Sequence, residues 1–191
     1  MAIPRLPYDQ PHSRLPEWHS KLKAKSFADG QIKFKIYIDN AQKAIAKAGI
    51  DPRNPDHFYE TKYSSAAGQY GYLAAMMLID CFLATYLKHK PLNSLLQTSE
   101  PAPGTWILLQ ERGLNGKTSY DTLLKMAFGK NALKYFNRIH SILHVDVHYV
   151  HNPLIAAYED GYEILLAFQK VFNEKARELL AEHGISNVGA V

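Results

Sequence analysis

The sequence predicts an all-α fold, an antiparallel helical bundle of about five helices, and three observations favour it. Apolar residues recur at helical spacing in several long segments, which connectors containing proline or glycine separate. The apolar share of 47% and the charged share of 21% are typical of a folded soluble domain. Strand-like alternation occurs only in VDVHYV, which is too isolated to build a sheet. A chain of 191 residues is long enough for one such domain and short for two.

The chain begins with a predicted arm, residues 1–27, that is basic and rich in proline. Its early prolines prevent a continuous helix: Pro4, Pro7, Pro11 and Pro16. The arm lacks the apolar stretch of a secretory signal, and no apolar run reaches the roughly 20 residues that cross a bilayer. We therefore expect a cytoplasmic protein without membrane contact. The bundle is expected at residues 28–184 and a short tail at 185–191.

The first two helices are predicted at residues 29–48 and 59–88. Gly49 ends the first, and Pro91 follows the second. The second helix is rich in alanine, leucine and methionine and has no internal proline, so we expect it at the centre of the core. Small residues four positions apart give it a smooth strip for close helix packing: Ala67, Gly71 and Ala75.

Residues 92–117 are predicted to form an irregular insertion, because EPAPGT and GLNGKT are turn signals. The GLNGKT segment lacks the spacing and the preceding strand of a phosphate-binding loop, so no nucleotide site is assigned to it. A third helix is predicted to start at Thr118 or Ser119 and to break near Gly129.

The last two helices follow this break. The fourth is predicted at residues 132–147, although the VDVHYV run at its end also fits an extended chain. The fifth is predicted to start with Asn152 as N-cap and Pro153 as the first helical residue. It should continue to about Glu182 and stop at Gly184.

Charge and cysteine content restrict the possible functions only moderately. The net charge of +4 is compatible with a polyanionic partner but does not require one. The single cysteine, Cys81, excludes an internal disulfide and a thiolate metal cluster. Because it lies in the apolar run LIDCFLATY, we expect a buried and unreactive thiol.

Histidines are concentrated in one stretch, NRIHSILHVDVHYVHNP. In a helix each residue rotates the side chain by about 100°, so these four histidines fall within an arc of about 80°: His140, His144, His148 and His151. Asn137 joins the same face. This stretch is the predicted location of any chemistry.

Metal binding is one interpretation of the histidine row. Histidines at positions i and i+4 can share a metal ion, but His140 and His148 are about 12 Å apart along a helix axis and cannot. A third ligand must come from another helix, and Asp80, within MMLIDCFL, is the candidate. Asp80 can equally bond a tyrosine or a histidine without metal. Since neither an HExxH nor a cysteine motif is present, we assign no metal and no cofactor.

Acid–base chemistry on RNA is a second interpretation. Arg138 precedes His144 by six positions. An imidazole can move a proton from a ribose 2′-hydroxyl while a guanidinium stabilises the phosphate. On a straight helix the two side chains lie about 120° apart, so they converge only through the reach of the arginine or across a dimer interface.

A purely structural interpretation also stands. In it, the histidines are half-buried at a helix or dimer interface and bond tyrosine or asparagine neighbours. The twelve tyrosines can similarly stack on bases or line the edge of the core.

The stretches LKYFNRIHSILHVDVHY and YSSAAGQYGYLAAMMLIDCFLATYL, the order of helices and the arginine–histidine spacing resemble the HEPN superfamily, in particular its small bacterial members of unknown function. The resemblance covers roughly residues 30–182 without 92–117. It implies a bundle that dimerises through its late helices. In catalytic members an arginine and a histidine form a composite, metal-independent ribonuclease site, to which Arg138 and His144 correspond. Ile139 departs from the polar residue that usually follows this arginine, and many members are binding or scaffold modules.

The sequence therefore predicts a cytoplasmic HEPN-like protein, a homodimeric accessory or binding module with RNA or a nucleotide as ligand. The residues expected to bind the ligand are Asn137, His140, His148, Tyr149 and Asp80. The alternative is a metal-independent endoribonuclease. In it His144 is the general base or acid and Arg138 stabilises the phosphate.

Overall fold

The computed structural model describes residues 26–48, 58–90, 94–95, 120–121, 123–151 and 154–185. Across these residues the chain is helical and contains no strand. In chain order the elements are α1 (Phe27–Ala48), α2 (Phe58–Tyr86), π1 (Leu124–Phe128), α3 (Lys130–Ile139), π2 (His140–His148) and α4 (Ile155–Glu182). Because α3 runs without a break into π2, the all-α bundle of about five helices is confirmed. The predicted arm and most of the predicted insertion lie outside the described residues.

Helix α1 begins at Phe27, two residues before its predicted start. The Ser26 hydroxyl accepts a hydrogen bond from the Asp29 backbone N–H at 3.1 Å, which satisfies a donor that the first turn leaves open. The Phe27 N–H donates to Thr85 Oγ1 at 2.6 Å, near the end of α2. The start of α1 is thus joined to the end of α2.

Helix α2 is the core helix, as its composition predicts. From Ala74 to Ala84 every side chain is buried. A segment of this helix, Thr61–Tyr86, is long and apolar enough to cross a membrane, but 78% of its most apolar window is buried inside the bundle. The same composition is what a soluble core helix requires. At Gly30 of α1 a side chain would collide with Cys81, so these two helices cross at very short range.

The helix breaks in the second half of the chain are partly those predicted. Gly129 adopts a φ of 87° between π1 and α3, which confirms the break near this residue. Helix π2 extends to His148, so the extended alternative for the VDVHYV run is wrong for the residues within π2. The chain leaves π2 through Val150, which has a φ of 68°, a conformation costly for a β-branched residue.

The final helix differs from its prediction at the start and matches it at the end. Leu154 has extended backbone and is the N-cap, without a side-chain hydrogen bond, so the predicted start at Asn152 and Pro153 is wrong; those two residues lie outside the described residues. At the other end Gly184 has a φ of 69°. The N–H of Gly184 bonds the carbonyl of Ala181 and the N–H of Ile185 that of Leu180. This is a Schellman stop, as the glycine predicted.

Helix π2 packs closely against glycines of the two neighbouring helices α2 and α4. Leu143, fully buried, lies between Gly71 of α2 and Gly161 of α4, and a β-carbon at Gly71 would lie 2.8 Å from Leu143 Cδ1. At Gly68 a β-carbon would lie 2.6 Å from the Leu143 carbonyl oxygen. The smooth strip predicted on α2 therefore receives π2 at Gly71. These close contacts determine where the histidine-bearing face of π2 lies.

Candidate functional site: an imidazole and tyrosine ladder

Three histidines of π2 and two tyrosines form one contiguous group of rings, the ladder: Tyr72, His140, His144, His148 and Tyr149. The ring centroids of His140 and His144 lie 5.2 Å apart and those of His144 and His148 5.5 Å apart. Tyr72 of α2 stacks on His144 at 4.4 Å and meets the edge of His140 at 5.5 Å. Tyr149 contacts His144 at 4.8 Å and His148 at 5.0 Å.

The ladder combines a buried side with an open side. Tyr72 is buried against α3, where its ring also contacts Phe136 at 6.1 Å. The three histidines are half-buried, and Tyr149 is 57% exposed. Side chains in this arrangement keep a fixed geometry and still offer ring surface to a ligand. The π-helical winding that carries the histidines is rare and concentrates at functional sites in proteins.

His144 is the central ring and is kept neutral by its surroundings. Burial lowers its pKa, and the nearby His140 and His148 imidazoles lower it further. Its Nδ1 atom is buried from solvent and has no hydrogen-bond partner within the described part of the chain. A neutral imidazole with a free nitrogen can accept or donate one hydrogen bond, or act as a base.

His148, at the other end of the ladder, is hydrogen-bonded to α2. Ser65 Oγ donates a hydrogen bond to the backbone carbonyl of His148 at 2.7 Å and lies 3.5 Å from His148 Nδ1. On the buried side, the pKa of Tyr72 is raised to about 12 by burial and by the negative charge of Asp121. Tyr72 is therefore a neutral stacking partner at physiological pH.

Asp80 lies in the core rather than on the ladder. It is fully buried, and Tyr120 donates a hydrogen bond to its Oδ1 at 2.6 Å. Burial and the carboxylate of Asp80 raise the pKa of Tyr120 far above its ordinary range. Of the two interpretations of Asp80, the bond to a tyrosine is therefore the one observed. Within the described residues no three or more histidine, cysteine or acidic side chains are grouped so as to hold a metal ion.

Arg138 does not meet His144 within one chain. It is exposed and lines a shallow cavity of about 430 Å³ together with Asn137. The described residues show no hydrogen bond or ring contact between Arg138 and His144. His151 is exposed and takes no part in the ring contacts of the ladder.

The sequence indicated the three histidines and Tyr149, and Tyr72 only as one of several tyrosines that can stack on bases, without connecting Tyr72 or Ser65 with the histidines. Tyr72 and Ser65 come from a helix some 70 to 80 positions earlier, and no local pattern connects them with π2. Two exposed lysines, Lys130 and Lys134, were also missed. Lys130, Lys134 and Arg138 follow one another at intervals of four positions, and this spacing could have indicated a basic face on the helix.

Comparison with family models, curated proteins and solved structures finds no match for this chain. The relation to the HEPN superfamily therefore stays a prediction from the residues quoted above.

Proposed function

We propose that this protein is an accessory module that binds RNA or a nucleotide through the ladder. The observation that carries the proposal is a contiguous stack of histidine and tyrosine rings that ends on an exposed one, Tyr149. Proteins that recognise unpaired bases stack them on tyrosine, phenylalanine, tryptophan or histidine rings. A base stacked on Tyr149 would also lie close to the half-buried His148 imidazole, whose ring is 5.0 Å from that of Tyr149 and which can bond the edge of the base.

The surroundings of the ladder support a dimer, as the HEPN resemblance implies. Beside Tyr149, two apolar side chains are unusually exposed: Val150 at 46% and Leu154 at 52%. Apolar side chains grouped at one end of a bundle are typical of contact surfaces between proteins. We expect light scattering to give twice the chain mass for the wild type. Replacing Leu154 by Glu should shift the protein toward the monomer.

The test of RNA binding is a fluorescence anisotropy titration with a labelled single-stranded oligonucleotide. Removal of a stacking ring costs about 1–3 kcal/mol, so Tyr149→Ala should weaken binding about 5- to 150-fold. The matched control is Leu166→Ala, which removes an exposed apolar side chain, 42% accessible, from α4. It should bind like the wild type. Absence of binding by the wild type, or equal affinity of the Tyr149 variant, would contradict the proposal.

A second candidate function is a metal-independent endoribonuclease, and the state of His144 favours it. A lowered pKa keeps the imidazole in the basic form that abstracts a proton at neutral pH. Arg138, exposed and without an ion-pair partner in the described ranges, can bind a phosphate. Because the two residues lie apart in one chain, this function requires them to meet across two chains.

Subunit mixing tests this second candidate. RNA cleavage in excess EDTA should be lost in Arg138→Ala and in His144→Ala. A mixture of these two inactive variants should recover activity, because a mixed dimer contains one site with both side chains intact. Cleavage that survives either substitution, or wild-type protein without activity, would exclude the ribonuclease and leave the binding proposal to the titration.

A further inference from the structure

Helix α3 carries an unbalanced positive charge. Its ten residues, KNALKYFNRI, contain three cations and no acidic side chain. The cations form what we call the cationic strip: Lys130, Lys134 and Arg138. All three are exposed, and steps of four residues place them about 6 Å apart along the helix axis. They also share one face, since i and i+4 are neighbours on a helix surface.

None of the three cations of the strip has an ion-pair partner among the described residues. Among the described residues, ion pairs join Lys33 to Asp29 and Lys175 to Glu178, but none involves the strip. Lys130 lies at the N-terminus of α3, where the helix dipole already contributes positive charge and a cation is unfavourable. The strip therefore costs α3 stability. Such a cost is expected of a surface that meets an anion.

The cavity along the strip has the lining that a polyanion requires. Its volume is about 430 Å³, and it is bordered by the strip and by Leu133, Asn137 and Ser141, without any acidic side chain. Asn137 and Ser141 can donate hydrogen bonds to phosphate or sugar oxygens. Ser141 belongs to π2 and directly follows His140 in the chain, so the residues that line the cavity and the residues of the ladder are neighbours in sequence.

The two ends of the strip differ in their electrostatic surroundings. Lys130 also borders a second cavity, of about 350 Å³, which is lined by Glu174 and Glu178 of α4. These carboxylates reduce the positive potential near Lys130. Lys134 and Arg138 border the cavity without acidic residues and take no part in the lining of this second one. The binding contribution should therefore be concentrated at Lys134 and Arg138.

We propose that the cationic strip binds the phosphate backbone of a single-stranded RNA whose unpaired bases reach the ladder; this inference rests on the proposed function. Regularly spaced cations without acidic neighbours suit a polymer that carries one charge per unit. A membrane surface would require exposed apolar residues among the cations, and the exposed positions of α3 are polar or charged. The bases must be unpaired because the ladder offers ring faces on which single bases can stack, rather than an element that enters the groove of a duplex.

Salt dependence of binding tests the strip separately from the ladder. The affinity of the full-length protein for a labelled single-stranded oligonucleotide is measured from 50 to 300 mM KCl. Each lost phosphate contact reduces the slope of log affinity against log salt by about 0.7, or affinity about fivefold at 0.1 M. We expect this change for Lys134→Gln and for Arg138→Gln, and a smaller one for Lys130→Gln. Arg138→Lys should keep the slope.

The matched control is Lys43→Gln, which removes an exposed cation from α1 and should leave slope and affinity unchanged. If Lys134→Gln and Arg138→Gln keep the wild-type slope while Tyr149→Ala loses affinity, the strip proposal is wrong and the ladder proposal stands. If the wild type binds no RNA, both are wrong. If polyglutamate of equal charge competes as well as RNA does, the strip binds acidic peptide and the assignment to RNA is overturned.

Discussion

Adding one methyl group to the glycines around Leu143 should destabilise the fold, although alanine is the better helix former. In a helix interior, glycine to alanine gains about 1 kcal/mol from propensity alone. Overpacking a core costs about 1–3 kcal/mol. The outcome at each glycine therefore depends on which atoms the new β-carbon meets and whether they can move.

The three positions should rank by the rigidity of what they meet. At Gly68 the new carbon would lie 2.6 Å from the Leu143 carbonyl oxygen and 2.8 Å from Val147 Cγ1, and the backbone atom cannot turn away. At Gly161 it would collide with Leu143 Cδ2 and lie 2.7 Å from Cγ. At Gly71 only Leu143 Cδ1 lies within 3.4 Å, and a methyl can rotate. We expect net losses of about 2, 1 and 0–1 kcal/mol respectively.

A second substitution separates side-chain from backbone clashes. Leu143→Ala alone should cost about 2–5 kcal/mol, because it empties a fully buried position. In that background Gly161→Ala should become nearly neutral or stabilising, since both Leu143 atoms it met are gone and only the Ile142 side chain, with Cγ2 at 3.0 Å, remains. Gly68→Ala should stay destabilising, because the carbonyl oxygen remains.

Urea unfolding followed by circular dichroism measures these differences, with the slope of the transition checked for each variant. The reasoning would be refuted if Gly161→Ala matched or exceeded the wild type in stability. It would also be refuted if Leu143→Ala rescued both glycine variants equally.

Three further predictions concern single side chains. The pKa of His144 is lowered in the folded state, so the unfolded state binds more protons below about pH 6.5. The free energy of unfolding should therefore be highest above that pH and fall as the pH drops. The urea midpoint of His144→Gln should depend less on pH than that of the wild type, and equal pH dependence would contradict this. Tyr120→Phe should cost about 1–3 kcal/mol because it removes the donor to buried Asp80, whereas Tyr158→Phe, which removes a buried hydroxyl without a partner in the described residues, should be nearly neutral; equal losses in thermal or urea unfolding would count against it. Ser26→Ala should cost about 1 kcal/mol through the lost N-cap of α1, measured in the same way, and an unchanged midpoint would speak against the cap.

Local sequence signals were enough to predict most of the helices and their ends. The glycine stop at Gly184, the break at Gly129 and the smooth strip at Gly71 each depend on a conformation or a close approach that glycine permits. The start of α4 was misplaced because Asn152 and Pro153 form a helix-start signal by propensity alone. The backbone of Leu154 is extended, and the helix begins at Ile155.

The candidate site was predictable only in part. The helical spacing of His140, His144 and His148 places their rings together, as the sequence indicates. The π-helical winding was not predictable, because it depends on how the helix packs rather than on a residue preference. Nor was the stacking of Tyr72 on His144, which joins two helices distant in sequence.

The most direct test of the ladder as the ligand surface is an NMR titration of the histidine imidazoles with single-stranded RNA. The resonances of His140, His144 and His148 should shift together and give one dissociation constant. His183, whose ring packs on Tyr86 at the end of α4, serves as the internal control and should not move. Shifts confined to His183, or no shift of the three ladder histidines at saturating RNA, would contradict the account.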